Sequence, residues 1–337
     1  MSPNNMQTPK VSVIVCTYNQ EHTIRRALDS ILMQDVDFPF EIILADDCSQ
    51  DATPTVCKEY AQRYPDIIRL YLNQKNKGLV DNYFDCIEEC RGEYIADLAG
   101  DDVWIDPLKL KKQADMMDSD EEITLCHADW NPVCPDGSIA DLPHWRIPDV
   151  KISEKGEITE TLLKHENDRY FIHLCTSMYR KDKILKLMRE YPELFRDKDL
   201  VCEDHQIKVL MSSVGKIAYI PAIVLNYTVG IPSLSSTENP LKTIRFYSGT
   251  LLLSLHLADI LKIDRSELKK YTAGVTQYII MQYFTANSIE GREMVKRMLA
   301  KGEIQLSPKN RLTLLLSDNR TVWHLTNKLL KALRGNK

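Results

Sequence analysis

The chain has 337 residues, 44% of them hydrophobic and 27% charged, with a net charge of −5. This composition supports a sizeable globular core. The acidic balance lacks the basic field of a nucleic-acid binder, so no nucleic-acid partner is expected.

VSVIVCTY (11–18) is a continuous apolar run of strand length, followed by HTIRRALDSILMQ with Ile24, Ala27, Leu28, Ile31 and Leu32 at helical spacing. EIILADD (41–47) reads as a second buried strand. Thr53 before Pro54 reads as a capping residue at a helix start, with Val56, Tyr60 and Ala61 continuing that helix. IIRLYLN (67–73) is a third strand, Gly78 opens the helical segment LVDNYFDCIEEC, and GEYIADL (92–98) is a fourth strand. Fully apolar strands separated by helices indicate a parallel sheet covered on both faces. A helix after Pro107, a strand at ITLCHADW (123–130) and a polar loop at 135–156 come next. The pattern then predicts a strand at 169–180, helices in KDKILKLMREY and EDHQIKVLMSSVG, and an extended stretch in KIAYIPAIVLNYTV; from Pro240 it is helical. The nine cysteines form no CxxC and read as reduced thiols. The first ten residues lack the apolar stretch of a signal peptide, and no apolar run is long enough to span a bilayer, so a cytoplasmic location is expected.

In open parallel α/β sheets, ligands sit at the carboxyl ends of the strands, near a switch in strand order. Those ends carry Thr17-Tyr18-Asn19, Asp46-Asp47 with Asp51, the loop NQKNKG (73–78) and Asp101-Asp102. One aspartate pair after a strand is ordinarily a solvated turn or a cap; four polar ends on one sheet edge suggest a site. Adjacent carboxylates repel each other and need water or a cation beside them.

VSVIVCTYN, SILMQ, EIILADDCSQD, NKG, GEYIADLAGDD and the later EDH together resemble the ordered motifs of the family 2 glycosyltransferases, over residues 10–110 and more loosely to about 230. The resemblance implies an α/β GT-A (Rossmann-like) fold, a mostly parallel sheet with helices on both faces, as a catalytic domain over 10–235. A helical C-terminal region over 240–337 follows. It also implies inverting transfer of a sugar from a nucleotide-diphosphate sugar, taken as a UDP-sugar, to a hydroxyl. By position, Thr17, Tyr18 and Asn19 would lie in the nucleotide region, Asp47 would accept from the uracil ring, and Asp101 would touch the ribose. Asp102 matches the acid that binds the metal, expected as Mg²⁺ or Mn²⁺, since hard cations take oxygen ligands. The first position of that acidic motif is Gly100.

In the same resemblance Asp204 is the catalytic base, with Glu203 beside it on the acceptor or phosphate side; an acid at a helix start is otherwise a cap or dipole partner. Arg180 is expected to pair with Asp204 or with phosphate, or to be a surface residue. The histidine that the family often carries after the base has no counterpart in LNYTVGIPSLSS (225–236). Trp104 and Trp130 could floor a sugar or fill the core; His127 and His205 have no assigned role. At the C-terminal end, Val322, Trp323, Leu325, Leu329, Leu330 and Leu333 could line one apolar side of a basic helix, which would lie on the inner face of the cytoplasmic membrane or dock on the protein. That suits a glycan or lipid-linked acceptor in cell-envelope polysaccharide synthesis. Two alternatives remain: a nucleotide-sugar binding module without catalysis, and a sugar-phosphate nucleotidyltransferase. The absence of glycine from residues 11–25 counts against the second.

Overall fold

The computed structural model describes residues 8–141, 151–166, 170–230 and 237–335, with side chains to 329. Parts of the expected loop at 135–156 and of the stretch 225–236 lie outside them. The chain divides into two compact units: Met1–Leu162, Glu166–Arg196 and Glu203–Gly230 form the first, and Leu163–His165, Asp197–Cys202 and Ile231–Lys337 the second.

In the first unit, β1 (Val11–Thr17) buries every residue but Cys16, as a strand covered on both faces must. α1 (Ile24–Leu32) turns Ile24, Ala27, Leu28 and Ile31 inward, the predicted stripe. β2 (Phe40–Asp46), α2 (Thr53–Arg63), β3 (Ile68–Leu72), α3 (Leu79–Glu89) and β4 (Tyr94–Asp97) complete the alternating half. β5 (Val103–Trp104), α4 (Lys109–Ser119), β6 (Ile123–Val133), β7 (Ile152–Ser153), α5 (Thr159–Leu163), β8 (Met178–Arg180), α6 (Lys181–Glu190), α7 (Pro192–Arg196), α8 (Glu203–Val214) and β9 (Lys216–Thr228) follow.

The strand order is β3-β2-β1-β4-β8-β6-β9-β5, with β7 also on β9. β1, β2, β3 and β4 are mutually parallel, β8 runs antiparallel between β4 and β6, and β6 pairs parallel with β9. The chain leaves β1 toward β2 and β3, then returns to β4 on the other side of β1. That reversal opens a crevice at the carboxyl ends of β1 and β4.

Two local expectations are corrected. Of the strand expected over 169–180, the described residues form a strand only in β8. Before it, Thr176 Oγ1 and Ser177 Oγ both donate to His173 O, at 2.7 and 3.0 Å, and close a tight turn at Leu174–Thr176. Thr53 does not cap α2: its hydroxyl accepts from Gln20 N at 2.8 Å, while Asp51 Oδ1 accepts from Thr53 N at 2.9 Å.

The second unit holds α9 (Pro240–Leu261), α10 (Lys269–Ala286), α11 (Ile289–Lys301), α12 (Pro308–Leu316) and α13 (Arg320–Gly335). Side-chain caps start four of them: Asn239 for α9, Ser288 for α11, Ser307 for α12 and Asn319 for α13. Among the described residues, no helix is long and apolar enough to cross a membrane. The single apolar side expected on the last helix divides in two. Trp323 is buried, with its Nε1 donating to Phe284 O at 2.9 Å, whereas Val322, Leu325 and Leu329 are exposed. The side chains of Leu330 and Leu333 lie outside the described ones.

Candidate functional site

The loops after β1 and β2 are laced together. Asn19 N donates to Ser49 Oγ at 2.8 Å, Gln50 N donates to Asn19 Oδ1 at 2.8 Å, and Ala52 N donates to Glu21 Oε2 at 2.9 Å. Asn19 holds a left-handed φ of 52°, which asparagine tolerates better than most residues. Thr17 is buried and donates to Gln20 Oε1 at 2.8 Å. Tyr18, by contrast, is 47% exposed above the rim.

Asp47 is buried and organises the next loop. Its Oδ1 accepts from Asn73 Nδ2 at 3.0 Å and Lys77 N at 2.8 Å, and its Oδ2 accepts from Gly78 N at 2.9 Å. Gly78 needs its φ of +86° to turn its amide there before α3 starts. Asp47→Ala leaves these donors without their acceptor. The expected loss is about 2–4 kcal/mol of stability in urea unfolding.

Three elements hold the acid pair after β4. Thr228 N, at the end of β9, donates to Asp102 Oδ1 at 3.0 Å, and Thr228 Oγ1 donates to Asp101 O at 2.7 Å. Arg26 Nη2, from α1, donates to the same carbonyl at 2.9 Å. The Gln20 side chain lies near enough to Asp101 to favour its charged form. The end of the Gln20 side chain also lies against Gly100, and a Cβ there would displace it. Burial pushes Asp101 up, and burial, then the charge of Asp101, pushes Asp102 up to about 8. Asp102 Oδ2 is buried with no hydrogen-bond partner.

A hard cation suits that environment. An orphaned carboxylate oxygen beside a second carboxyl is a donor set for Mg²⁺ or Mn²⁺, with water and phosphate oxygens completing the shell. Among the described residues, no group of three His, Cys, Asp or Glu could hold a metal without such help.

Glu203 and Asp204 start α8. Burial, then the neighbouring charge of Asp204, pushes Glu203 well above the carboxylate range. Lys208, one turn on, donates to Asp204 Oδ2 at 2.6 Å. Trp130 from β6, Phe171 and His173 from the segment before β8, and Tyr227 from β9 form an aromatic cluster. Their ring centroids lie 4.6–6.2 Å apart. Lys208 Nζ sits 5.7 Å from the Phe171 centroid. Burial pushes His173 down to about 4, so it is neutral near pH 7. Tyr227 is pushed up to about 12, by burial first and then by Asp102, Cys175, Asp101 and Asp204. One tyrosine therefore lies in the fields of both the acid pair and Asp204.

Arg180 is a correction. It is buried, with Nε donating to Ile123 O at 2.8 Å and Nη2 to Met117 O at 2.7 Å. It pairs in register with Tyr94, the first residue of β4, so it lies at the sheet edge opposite the carboxyl ends. Trp104 is fully buried, its Nε1 donating to Cys175 O at 2.8 Å, and is a core residue. His127 and His205 are also buried; His127 Nε2 is 2.9 Å from Tyr170 Oη.

The sequence reading missed Gln20, Arg26, His173, Lys208, Tyr227 and Thr228. It also missed Asp97, the last residue of β4. Burial pushes Asp97 up to about 7, against the hydrogen bond donated by Tyr83 Oη at 2.7 Å. A raised carboxyl costs stability as pH climbs from its unfolded value near 4 to its folded value near 7, because the folded state holds the proton longer. Asp97→Asn keeps an acceptor for Tyr83 and removes that cost. Its melting temperature is expected to match wild type near pH 4 and exceed it above pH 7, by on the order of 1–4 kcal/mol in stability.

A model of glycosyl transferase family 2 matches residues 12–187. The minor teichoic acid biosynthesis protein GgaB of Bacillus subtilis (strain 168) is 24% identical over 278 residues, 80% of this chain and 28% of that protein. The chain spans little more than a third, or less, of the length of the curated relatives it matches first. Among solved structures, S. aureus TarS 1–349 in complex with UDP-GlcNAc aligns over 97% of this chain and 92% of its own, with a TM-score of 0.61 and 18% identity. The mannosyltransferase PcManGT from Pyrobaculum calidifontis, in complex with GDP-Man and Mn²⁺, aligns over 95% and 87%, with a TM-score of 0.55 and 16% identity. At these identities the two structures speak for the fold.

Proposed function

The chain belongs to glycosyl transferase family 2, and on that footing we propose that it moves a sugar, with inversion, from a UDP-sugar to a hydroxyl of a glycan or lipid-linked acceptor in cell-envelope polysaccharide synthesis. The UDP-GlcNAc in TarS and the name of GgaB favour that donor and that setting. The observation that carries the reading is Tyr227, whose hydroxyl feels Asp101, Asp102 and Asp204 together. Acids more than a hundred residues apart in sequence thus act on one phenol.

In this reading Tyr18 and Asp47 meet the base, and Thr17 and Asn19 shape the loop around it. Asp101 reaches the ribose. Asp102 is the residue that would hold Mg²⁺ or Mn²⁺, which when bound stabilises negative charge on the departing diphosphate. The Mn²⁺ in PcManGT is consistent with that assignment. Asp204 takes the proton of the acceptor hydroxyl as its oxygen attacks the anomeric carbon from the side opposite the diphosphate. The bond from that carbon to the diphosphate oxygen breaks, and the nucleoside diphosphate leaves. Glu203, pushed up by burial, keeps its proton and leaves the base role to Asp204. Lys208 orients the Asp204 carboxylate, and the rings of Trp130, Phe171, His173 and Tyr227 offer apolar faces to a pyranose.

A thermal-shift panel of UDP, GDP and their sugar conjugates, with and without Mn²⁺, tests the reading. A ligand that binds the native state raises its melting temperature. UDP compounds are expected to do so only with Mn²⁺. No shift with any nucleotide would overturn the proposal.

A further inference from the structure

In the second unit, α13 carries two faces that differ in kind. Inward, Trp323 and Asn327, four residues apart, are buried, and Asn327 Nδ2 donates to Phe284 O and Thr285 O at 3.1 and 3.0 Å. Outward, Val322, Leu325 and Leu329 follow at i, i+3 and i+7, which on a helix is one stripe opposite the first. They are 39%, 56% and 65% exposed, and Leu312 and Leu315 of the adjoining α12 are 56% and 65% exposed. Isolated exposed apolar side chains are ordinary; four leucines and a valine on one helical hairpin call for a partner.

Charge selects the partner. Residues 307–337 hold seven Lys and Arg and one acid, Asp318, in a chain whose net charge is −5. Asp318 is already paired with Arg292 and Lys296 of α11. Lys309, Arg311, Arg320 and Lys328 are exposed on the same hairpin as the leucines. A second copy would set like charges against each other across a two-fold interface. A nucleic acid would use the cations and leave the leucines in water. An anionic bilayer surface uses both, apolar side chains among the acyl chains and cations at the headgroups.

We propose that the outward face of the α12–α13 hairpin is a docking surface for an anionic phospholipid bilayer. It gives a physical basis to a lipid-linked acceptor but does not depend on the sugar-transfer reading, and donor hydrolysis tests that reading separately.

The test is co-sedimentation of the full chain with vesicles of phosphatidylglycerol and phosphatidylcholine in equal parts, against phosphatidylcholine alone. The wild type is expected to sediment with the mixed vesicles only. Leu325→Asp with Leu329→Asp, and separately Arg320→Glu with Lys328→Glu, are each expected to lower the bound fraction about tenfold or more. Circular dichroism melts and hydrolysis of the nucleotide sugar stay at wild-type values. The charge pair replaces only exposed side chains, so it keeps the test open if the leucine variant misfolds. Failure to bind the mixed vesicles, equal binding to neutral ones, or binding that survives the charge variant in folded protein would overturn the proposal. So would a wild-type dimer that the leucine variant disperses without any vesicle binding, which would assign the face to a second copy.

Discussion

Asp204→Asn is expected to lower the turnover number for sugar transfer by about 10²–10⁴-fold, the usual contribution of a positioned general base. Asparagine is nearly isosteric and still accepts the hydrogen bond that Lys208 donates to Asp204 Oδ2 at 2.6 Å. Donor binding, and its dependence on Mn²⁺, should therefore change little. Glu203 cannot take over, because burial and the adjacent acid hold it protonated to well above the usual range. The two neighbouring carboxyls have different surroundings: burial raises Glu203, whereas Asp204 faces the Lys208 ammonium. Initial-rate kinetics with the donor and a hydroxyl acceptor separate the outcomes. A variant within tenfold of wild type in turnover would remove Asp204 from the base role.

Asp102→Asn carries the second large effect. The amide oxygen still accepts from Thr228 N, as Asp102 Oδ1 does at 3.0 Å, so the end of β9 keeps its place. The orphaned Oδ2 is replaced by a neutral group that binds a hard cation poorly. Transfer is expected to fall about 10²–10³-fold, in line with several kcal/mol of lost Lewis-acid stabilisation. Calorimetric titration with UDP should lose its Mn²⁺ dependence. The ligand-free variant is expected to melt no lower than wild type near pH 7, since the raised Asp102 carboxyl costs the fold stability as pH climbs past its unfolded value. Loss of activity through unfolding would show as a lower melting temperature instead.

The alternating half of the fold was legible in the sequence because its strands are buried on both faces. VSVIVCT and EIILAD are mostly apolar, with Ser12, Thr17, Glu41 and Asp46 confined to their ends, and the helices between them carry clear stripes. The candidate acids were legible for a related reason, since polarity that begins where a buried strand ends marks the sheet edge. Direction was not legible. Arg180 stands at the end of a strand much as Asp47 and Asp102 come after theirs, but β8 runs antiparallel, so its carboxyl end points to the opposite edge. The aromatic cluster was hidden because Trp130, His173 and Tyr227 meet only through the parallel pairing of β6 with β9 and the turn before β8. No local period in any of the three segments announces the others. At Gly100, where the family pattern has an acid, the end of the Gln20 side chain lies against the space a Cβ would fill.

The most direct measurement is a crystal structure of the protein with UDP and Mn²⁺. The expected result is one nucleotide lying across the crevice between β1 and β4, uracil against Asp47 and Tyr18, and the cation on an Asp102 oxygen. Its terminal phosphate would face toward Tyr227 and Asp204. A nucleotide bound elsewhere, or a diphosphate in the crevice with the cation away from Asp102, would contradict the account.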